Sequence, residues 1–156
     1  MDAESALQAL DMYQGPIIAS HANPLGMLNG SDSNRHIPDE VVDGIIERVG
    51  VIGIVPFNVF LKAGWKKGDR KEGVSLRDMA AHIDYICQRA GDARHVAIGS
   101  DFDGGFGVGD TPAEVDTIAD LQKLVPLLEE KGYSAEDASA ILGGNWIAHL
   151  EKSLPQ

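Results

Sequence analysis

Three side chains in this sequence have the types and positions that could support metal-assisted hydrolysis: His21, Arg35 and Asp101. A neutral imidazole binds a metal ion, a carboxylate can deprotonate a water molecule, and a guanidinium pairs bidentately with a carboxylate. Taken singly, each has an ordinary structural explanation, since Arg35, for example, could simply pair with Asp32 or Asp39. Their combined chemistry therefore depends on whether the fold brings them together.

Two of these residues end short apolar segments that predict buried parallel strands. The first segment covers residues 16–21 and ends in His21, and the second covers residues 96–101 and ends in Asp101. Neither segment alternates apolar and polar residues, which is typical of a strand covered on both faces. Because parallel α/β folds carry their chemistry at the carboxyl ends of the strands, we expect both side chains at one sheet edge, with Arg35 in the loop above.

The order of predicted elements indicates a parallel sheet. Apolar periodicity and turn residues predict helices and strands in alternation: helix 2–13, strand 16–21, helix 37–49, strand 51–57, helix 76–89, strand 96–101, helix 112–131 and a final helical region from 134. Pro126 is expected to kink or break its helix, and Gly143-Gly144-Asn145 is expected either to divide the last helix into two or to mark a tight helix-helix contact. Such alternation gives right-handed crossovers, but three strands are too few for a closed barrel. The sequence therefore predicts one domain, residues 1–156, that is part of something larger.

Composition excludes several classes of partner. The 156 residues are 44% hydrophobic and 24% charged, which is an ordinary globular balance. A formal net charge of -11 repels phosphate backbones and anionic membrane surfaces, so neither nucleic acid nor a membrane is expected as a partner. The single Cys87 excludes an internal disulfide and fits a reducing compartment. With an acidic N-terminus that lacks the basic region of a signal peptide, the sequence predicts a cytoplasmic protein.

Four short motifs together resemble the membrane (renal) dipeptidase family, which are zinc dipeptidases with an amidohydrolase-like barrel. They are residues 16–23 (PIIASHAN), residues 34–39 (NRHIPD), residues 99–105 (GSDFDGG) and residues 143–145 (GGN). The resemblance covers nearly the whole chain, in matching order and spacing. It implies an α/β fold that is the C-terminal part of a TIM-like (β/α)8 barrel, with about three parallel strands and flanking helices.

The resemblance also implies roles for individual residues. His21 is similar to a histidine that binds the second zinc ion, and Arg35 to the arginine that receives the C-terminal carboxylate of a dipeptide. Asp101 is similar to the catalytic acid on the eighth strand, which shuttles the proton of the attacking water. Asp103 is expected to shape the turn through hydrogen bonds. The implied cofactor is zinc, as two ions in the intact family site, and the implied substrate is a dipeptide.

The departures from the family pattern are equally informative. The His-x-Asp of its first strand, its bridging Glu and another metal histidine are expected upstream of Met1, and Asn58–Leu61 stand where a tyrosine is usual. With His21 as one firm ligand, the chain is expected to bind zinc weakly at most and to have negligible activity alone. Its partner would be a missing N-terminal half or another copy of the chain. A half-barrel would also expose strand residues, with Val51, Ile54 and Ile98 expected to be most affected.

Two other functions stay open at this point. One is a non-catalytic fragment or assembly module that keeps a vestigial site. The other is phosphoryl transfer with magnesium on Asp101 and Asp103, which ranks last because phosphate-binding lysines or threonines are missing from other strand ends. The remaining histidines are weaker candidates: His82 is expected to be structural and His36 to point to solvent, while His95 and His149 lie away from the predicted edge.

Overall fold

Three short parallel strands form the centre of the fold. The computed structural model describes residues 2–28, 31 and 33–154. Strands β1 (Ile18–Ala19), β2 (Val51–Ile54) and β3 (Val96–Ile98) form one sheet in the order β1-β2-β3. Both pairings are parallel, with Ile18 opposite Val51 and Ile52 opposite Val96. The prediction of an α/β fold with three parallel strands is therefore confirmed.

Helices connect and cover these strands. They are α1 (Ala3–Met12), α2 (Asp39–Glu47), α3 (Asn58–Leu61), α4 (Leu76–Ala90), α5 (Leu124–Glu130), α6 (Ala135–Ser139) and α7 (Asn145–Ser153). Shorter 3-10 turns cover Leu25–Met27, Lys71–Gly73, Val108–Asp110 and Ile118–Lys123, and a π-helical segment, Ala140–Gly144, joins α6 to α7. The predicted division of the last helix is thus confirmed. No helix in the described ranges is long and apolar enough to cross a membrane.

The helix predicted for residues 112–131 is wrong in its first half. The Thr111 hydroxyl lies within hydrogen-bonding distance of the carbonyl oxygens of Val108 (2.9 Å) and Val115 (2.7 Å), which holds a turn instead of a helix start. The Glu114 carboxylate accepts a hydrogen bond of 2.9 Å from the backbone N–H of Leu76. That contact serves the N-terminus of α4, because the first N–H groups of a helix have no intrahelical acceptor.

Pro126 does not kink a helix, because α5 starts only at Leu124. The proline therefore lies in the first helical turn, where its missing N–H would have had no intrahelical partner. The residues before it, Ile118–Lys123, form a separate 3-10 segment. The helix therefore starts about three turns later than predicted, because tertiary contacts hold the preceding residues in a loop.

The helices bury one face of the sheet, and the exposed apolar surface lies elsewhere than predicted. Val51 and Ile54 are 3% and 0% exposed, so the expectation that they would be uncovered is wrong. Ile54 belongs to the core that the helices form with the sheet, and Ile98 is half-buried against that core. The exposed apolar residues instead include Tyr13 at 55% and Ile18 at 43%, which lie beside and on β1.

The outer edge of β3 is closed by side chains of α7. In the pairing of β2 with β3, the backbone groups of His95 and Gly99 bond to β2, so the carbonyls of Val96 and Ile98 point away from it. Those outward carbonyls have other partners. Asn145 Nδ2 lies 2.7 Å from the Val96 oxygen, and Trp146 Nε1 donates to the Ile98 oxygen at 2.8 Å. Side-chain hydrogen bonds therefore cover the lateral edge of the sheet at β3.

Candidate active site

The carboxyl ends of the strands gather the residues that the sequence singled out. His21 comes two positions after β1, and Asp101 comes three positions after β3. Because both strands run parallel to β2, the two residues lie at the same end of the sheet, where the strands have their carboxyl ends. We call this end the carboxyl edge. Arg35 and His21 line a common cavity of about 640 Å³ between α1, β1 and α2. This placement agrees with the expected shared edge.

Two glycines position the segment that carries His21. A Cβ atom built on Gly53 or on Gly99 would collide with the carbonyl oxygen of Ser20, so the backbone beside His21 can approach both strands only because these residues are glycine. The backbone N–H of Ala22, the residue after His21, donates to the Gly53 oxygen at 2.8 Å. The His21 ring is exposed, and its Nδ1 lies 2.7 Å from Ser20 Oγ.

Asn23 braces the loop that follows His21 and was not singled out as a site residue. It is 0% exposed, and its Oδ1 accepts from the Val55 N–H at 2.8 Å. Its Nδ2 lies 3.2 Å from the Val55 oxygen and 3.1 Å from the Phe60 oxygen. This amide therefore fixes the chain after β1 to the chain after β2. Its position two residues after His21, inside the matched motif, was the signal for it.

Arg35 lies on an aromatic ring. Its guanidinium carbon is 5.7 Å from the centroid of Phe60, within cation-π range. No ion pair within the described part of the chain involves Arg35. Of the two acids considered as its partners, Asp32 falls outside the described residues, and Asp39 is bound to Arg89 at 2.9 Å. The Arg35 side chain is exposed at the cavity.

Asp101 occupies a strained turn. Its φ of 49° and the φ of 72° at Asp103 lie in the left-handed region, which non-glycine residues adopt rarely and which is common at functional sites. The Gly104 N–H donates to the Asp101 oxygen at 2.8 Å, and a Cβ on Gly104 would collide with the Asp101 carboxylate. Asp103 is exposed, and its carboxylate accepts no hydrogen bond from the described residues, so its expected role in shaping the turn is wrong.

Four aromatic rings connect Arg35 with the loop of Asp101. Phe60 lies 4.8 Å from Phe57, Phe57 stacks on Phe106 at 4.7 Å, and Phe106 lies 6.2 Å from Phe102, all between ring centroids. We call these four residues the aromatic wall. Sequence reasoning missed it, although two phenylalanines in each of the loops after β2 and β3 were visible in the sequence.

Behind the wall lie buried polar groups. His36 is 6% exposed and packs its ring edge on Phe60 at 5.1 Å, so the expectation that it points to solvent is wrong. Burial and the neighbouring Arg35 charge lower the pKa of His36. His82 is also buried, as expected of a structural histidine, and its Nε2 lies 3.2 Å from the Leu61 oxygen. Asn58, in the stretch Asn58–Leu61 where the resemblance implied a tyrosine, is buried and donates to the Thr111 oxygen at 2.9 Å.

The chain does not by itself assemble a metal centre in its described part. No group of three or more His, Cys, Asp and Glu side chains there could hold a metal ion. A His-x-Asp sequence does occur, at His82–Asp84, but it lies within α4 and not at a strand end. Asp84 in turn accepts from Tyr133 at 2.6 Å and from Lys131 at 3.0 Å, so this pair belongs to the packing of the helices.

Three parallel strands with flanking helices, and polar side chains beyond their carboxyl ends, are consistent with part of an α/β barrel. A family model described as membrane dipeptidase (peptidase family M19) matches residues 1–152. The chain therefore belongs to the membrane dipeptidase family, which is a family of metallopeptidases.

Curated relatives support the same family. An uncharacterized protein from the pqqA 5′ region of Klebsiella pneumoniae is 32% identical over 136 residues, which cover 87% of this chain and 46% of that protein. The dipeptidase aclJ of Aspergillus oryzae is 27% identical over 150 residues, or 92% of this chain and 33% of that one. The chain thus spans between about a third and a half of the length of these relatives.

Solved structures show the same fold. A Rhodobacter sphaeroides metallopeptidase, crystallised with a phosphinate mimic of L-Ala-D-Ala, matches with a TM-score of 0.80 at 23% identity, over 96% of this chain and 39% of that one. A metallopeptidase described as dipeptidase AC matches with a TM-score of 0.79 at 24% identity, over 95% of this chain and 40% of that one. The shared fold is consistent with a fragment of a TIM-like barrel.

Proposed function

We propose that this chain, as one domain of residues 1–156, is the C-terminal part of a zinc-dependent dipeptidase that hydrolyses dipeptides to amino acids. The observation that carries the proposal is that His21 and Asp101 follow the carboxyl ends of parallel strands while Arg35 lies beside His21. His21 and Asp101 lie at one sheet edge, and Arg35 shares a cavity with His21. Membership of the membrane dipeptidase family supports the same reaction.

Arg35 holds the substrate in this proposal. A guanidinium forms two parallel hydrogen bonds with a carboxylate, so Arg35 would bind the C-terminal carboxylate of a dipeptide and fix its orientation. The Phe60 ring lies within cation-π distance of this guanidinium. Because the peptide bond of a dipeptide is close to that carboxylate, this anchor sets where the scissile bond lies.

Asp101 is the general base and general acid in this proposal. Its carboxylate would accept a proton from the attacking water and deliver it to the nitrogen of the leaving amino acid. The strained turn that carries Asp101 is typical of residues held in place for such a role. The left-handed backbone and the backbone hydrogen bond from Gly104 hold the turn that presents this carboxylate at the end of β3.

The described residues do not fit a zinc ion on their own. Zinc in catalytic sites takes about three protein ligands, and His21 is the only imidazole among the described residues that is exposed and lines the cavity. We infer that the other ligands are supplied from outside this chain's described residues. When complete, such a centre would provide Lewis-acid activation of the substrate carbonyl and of water.

Restoring the missing ligands tests the proposal. The part of the Klebsiella pneumoniae relative that precedes the matched region would be fused to Met1 of this chain. Dipeptide hydrolysis would then be measured with added zinc. We expect zinc-dependent turnover from the chimera and negligible turnover from the 156-residue chain. Asp101→Asn should lower kcat by about 10²- to 10⁴-fold. Arg35→Met should mainly raise KM, and Glu129→Gln, an exposed charge change on α5, should alter neither constant.

Two outcomes would contradict this assignment. A chimera that folds, binds two zinc ions and does not hydrolyse any dipeptide would favour a non-catalytic assembly module with a vestigial site. Substantial zinc-dependent turnover by the short chain alone, lost in Asp101→Asn, would place the metal ligands within this chain. Zinc content per chain, measured beside activity, separates the two.

The partners follow from the same proposal. A dipeptide is the substrate, and the remaining ligands come either from an N-terminal half or from another copy of the chain. The net charge of -11 disfavours nucleic acid and anionic membranes as partners. A cytoplasmic location stays a prediction, which the single Cys87 fits, and cell fractionation would test it.

A further inference from the structure

The four phenylalanines of the chain all lie in one place. The sequence contains only these four, and none is among the fully buried residues of the core, which is built almost entirely from aliphatic side chains. All four are instead half-buried in the segments that follow β2 and β3, with Phe60 in α3 and the others in loops. Aromatic side chains normally contribute most to cores and to binding interfaces. Their complete segregation to the catalytic edge therefore points to binding.

The aromatic wall begins at Arg35 and ends beside Asp101. Arg35 lies over Phe60, and the rings of Phe57 and Phe106 continue the surface by an edge contact and then a stacked contact. Phe102 follows directly after Asp101 in the sequence. The wall therefore connects the loop of Arg35 with the loop that carries Asp101.

The chemistry of this surface selects one kind of occupant. Arg35 supplies a cation that has no ion-pair partner among the described residues, so it calls for a carboxylate. Phe60 beside that cation, and Phe57 in contact with Phe60, supply half-buried rings, which favour an apolar or aromatic group. An amino acid with a large apolar side chain and a free carboxylate carries both groups within a few bonds.

We propose that the aromatic wall is the pocket surface for the C-terminal side chain of the substrate, and that it selects dipeptides with a bulky apolar or aromatic C-terminal residue. The proposal rests on the proposed function, because Arg35 defines which end of the dipeptide is bound. Phe60 and Phe57 are the specificity-determining residues, and they act by contact with the side chain next to the anchored carboxylate.

Ligand binding to the chain as it exists tests the proposal without any activity. The probes are N-acetylphenylalanine, N-acetylglycine and N-acetylphenylalaninamide, measured by ligand-observed NMR titration. We expect N-acetylphenylalanine to bind about tenfold more tightly than N-acetylglycine, because burying much of one aromatic ring corresponds to about that factor. The amide should bind as weakly as N-acetylglycine, since it cannot pair with Arg35.

Two variants assign the effect to the wall. Phe60→Leu keeps apolar bulk but removes the ring, and it should abolish most of the preference for N-acetylphenylalanine. Arg35→Met should abolish the difference between acid and amide. Ile147→Ala, which trims an exposed apolar residue on α7 away from the wall, should change neither comparison. Thermal melting of each variant verifies that it is folded.

The outcomes separate this proposal from the proposed function. Equal affinity of the unmodified chain for N-acetylphenylalanine and N-acetylglycine would overturn the proposal, whatever the variants do. A preference that persists in Phe60→Leu would overturn the assignment to the wall. If the zinc-loaded chimera is inactive while the chain still prefers N-acetylphenylalanine, the proposed function fails and this binding surface stands. If instead the chimera is active and cleaves Ala-Gly and Ala-Phe equally well, the proposed function stands and the proposed selectivity of the aromatic wall fails.

Discussion

His82 shows how a single buried residue links stability to pH. It is 1% exposed, and burial lowers its pKa from the usual 6.5 to about 4. The unfolded chain therefore binds a proton more readily than the folded chain between these values. The contribution of neutral His82 to stability is complete above pH 6.5 and is lost progressively as the pH falls towards 4. Over that range the loss amounts to about 3 kcal/mol.

The prediction is a steep decline in the free energy of unfolding between about pH 7 and about pH 4.5, measured by urea unfolding. His82→Gln keeps a donor that can reach the Leu61 oxygen but has no titrating group, so its decline should be clearly shallower. His36, whose pKa is also lowered, would account for part of the remaining slope. Equal slopes in the two proteins would show that His82 does not control the acid sensitivity.

At the scale of elements, the site depends on how closely three chain segments approach each other. The Ser20 carbonyl lies against Gly53 and Gly99, at the point where the chain leaves β1 towards His21. Gly99→Ala should force these segments apart, because the atom that a new methyl group meets belongs to the backbone. We expect a destabilisation of about 1–3 kcal/mol, as for other overpacking substitutions, together with a shifted His21 ring signal in the NMR spectrum.

Gly109→Ala is the matched control for that prediction. Nothing lies within 4 Å of a Cβ at Gly109, and its φ is not in the left-handed region, so the same change should be nearly neutral there. If Gly99→Ala left both stability and the His21 signal unchanged, the close contact with Ser20 would not be what positions His21.

At the scale of the whole molecule, the two edges of the sheet differ. The outward carbonyls of β3 are bonded to Asn145 and Trp146, whereas β1 borders a cavity of about 640 Å³ with apolar walls. Ile18, on β1, is 43% exposed and lines this cavity. Contiguous apolar surface of this kind binds apolar dyes.

We therefore expect the isolated chain to increase the fluorescence of the dye ANS, and Ile18→Thr to weaken this effect. Ile147→Thr is the matched control, since Ile147 is 60% exposed on α7 and does not line the cavity. Fusion to the N-terminal part of the Klebsiella pneumoniae relative should suppress the signal. Equal dye binding by the two variants would mean that the apolar surface beside β1 is not the binding site.

Local sequence patterns determined the elements and the positions of the key residues. Apolar runs that end in His21 and Asp101 predicted the strands, and the alternation of strands with helices predicted a parallel sheet. Parallel strands place their carboxyl ends at one edge, so the common location of these residues followed from the sequence alone. The resemblance in four motifs likewise identified the family that the comparison with its model confirmed.

Contacts between distant parts of the chain decided the rest. The burial of His36, the contact of Arg35 with Phe60 and the continuity of the aromatic wall join residues from three separate loops. A turn held by the Thr111 side chain replaced the start of the helix expected from residue 112, and the apolar periodicity of that segment did not predict this turn. The hydrogen bonds of Asn145 and Trp146 cover the lateral edge of the sheet at β3. Periodicity reports only which face of an element is apolar, whereas the partner of that face is set by packing between elements far apart in the sequence.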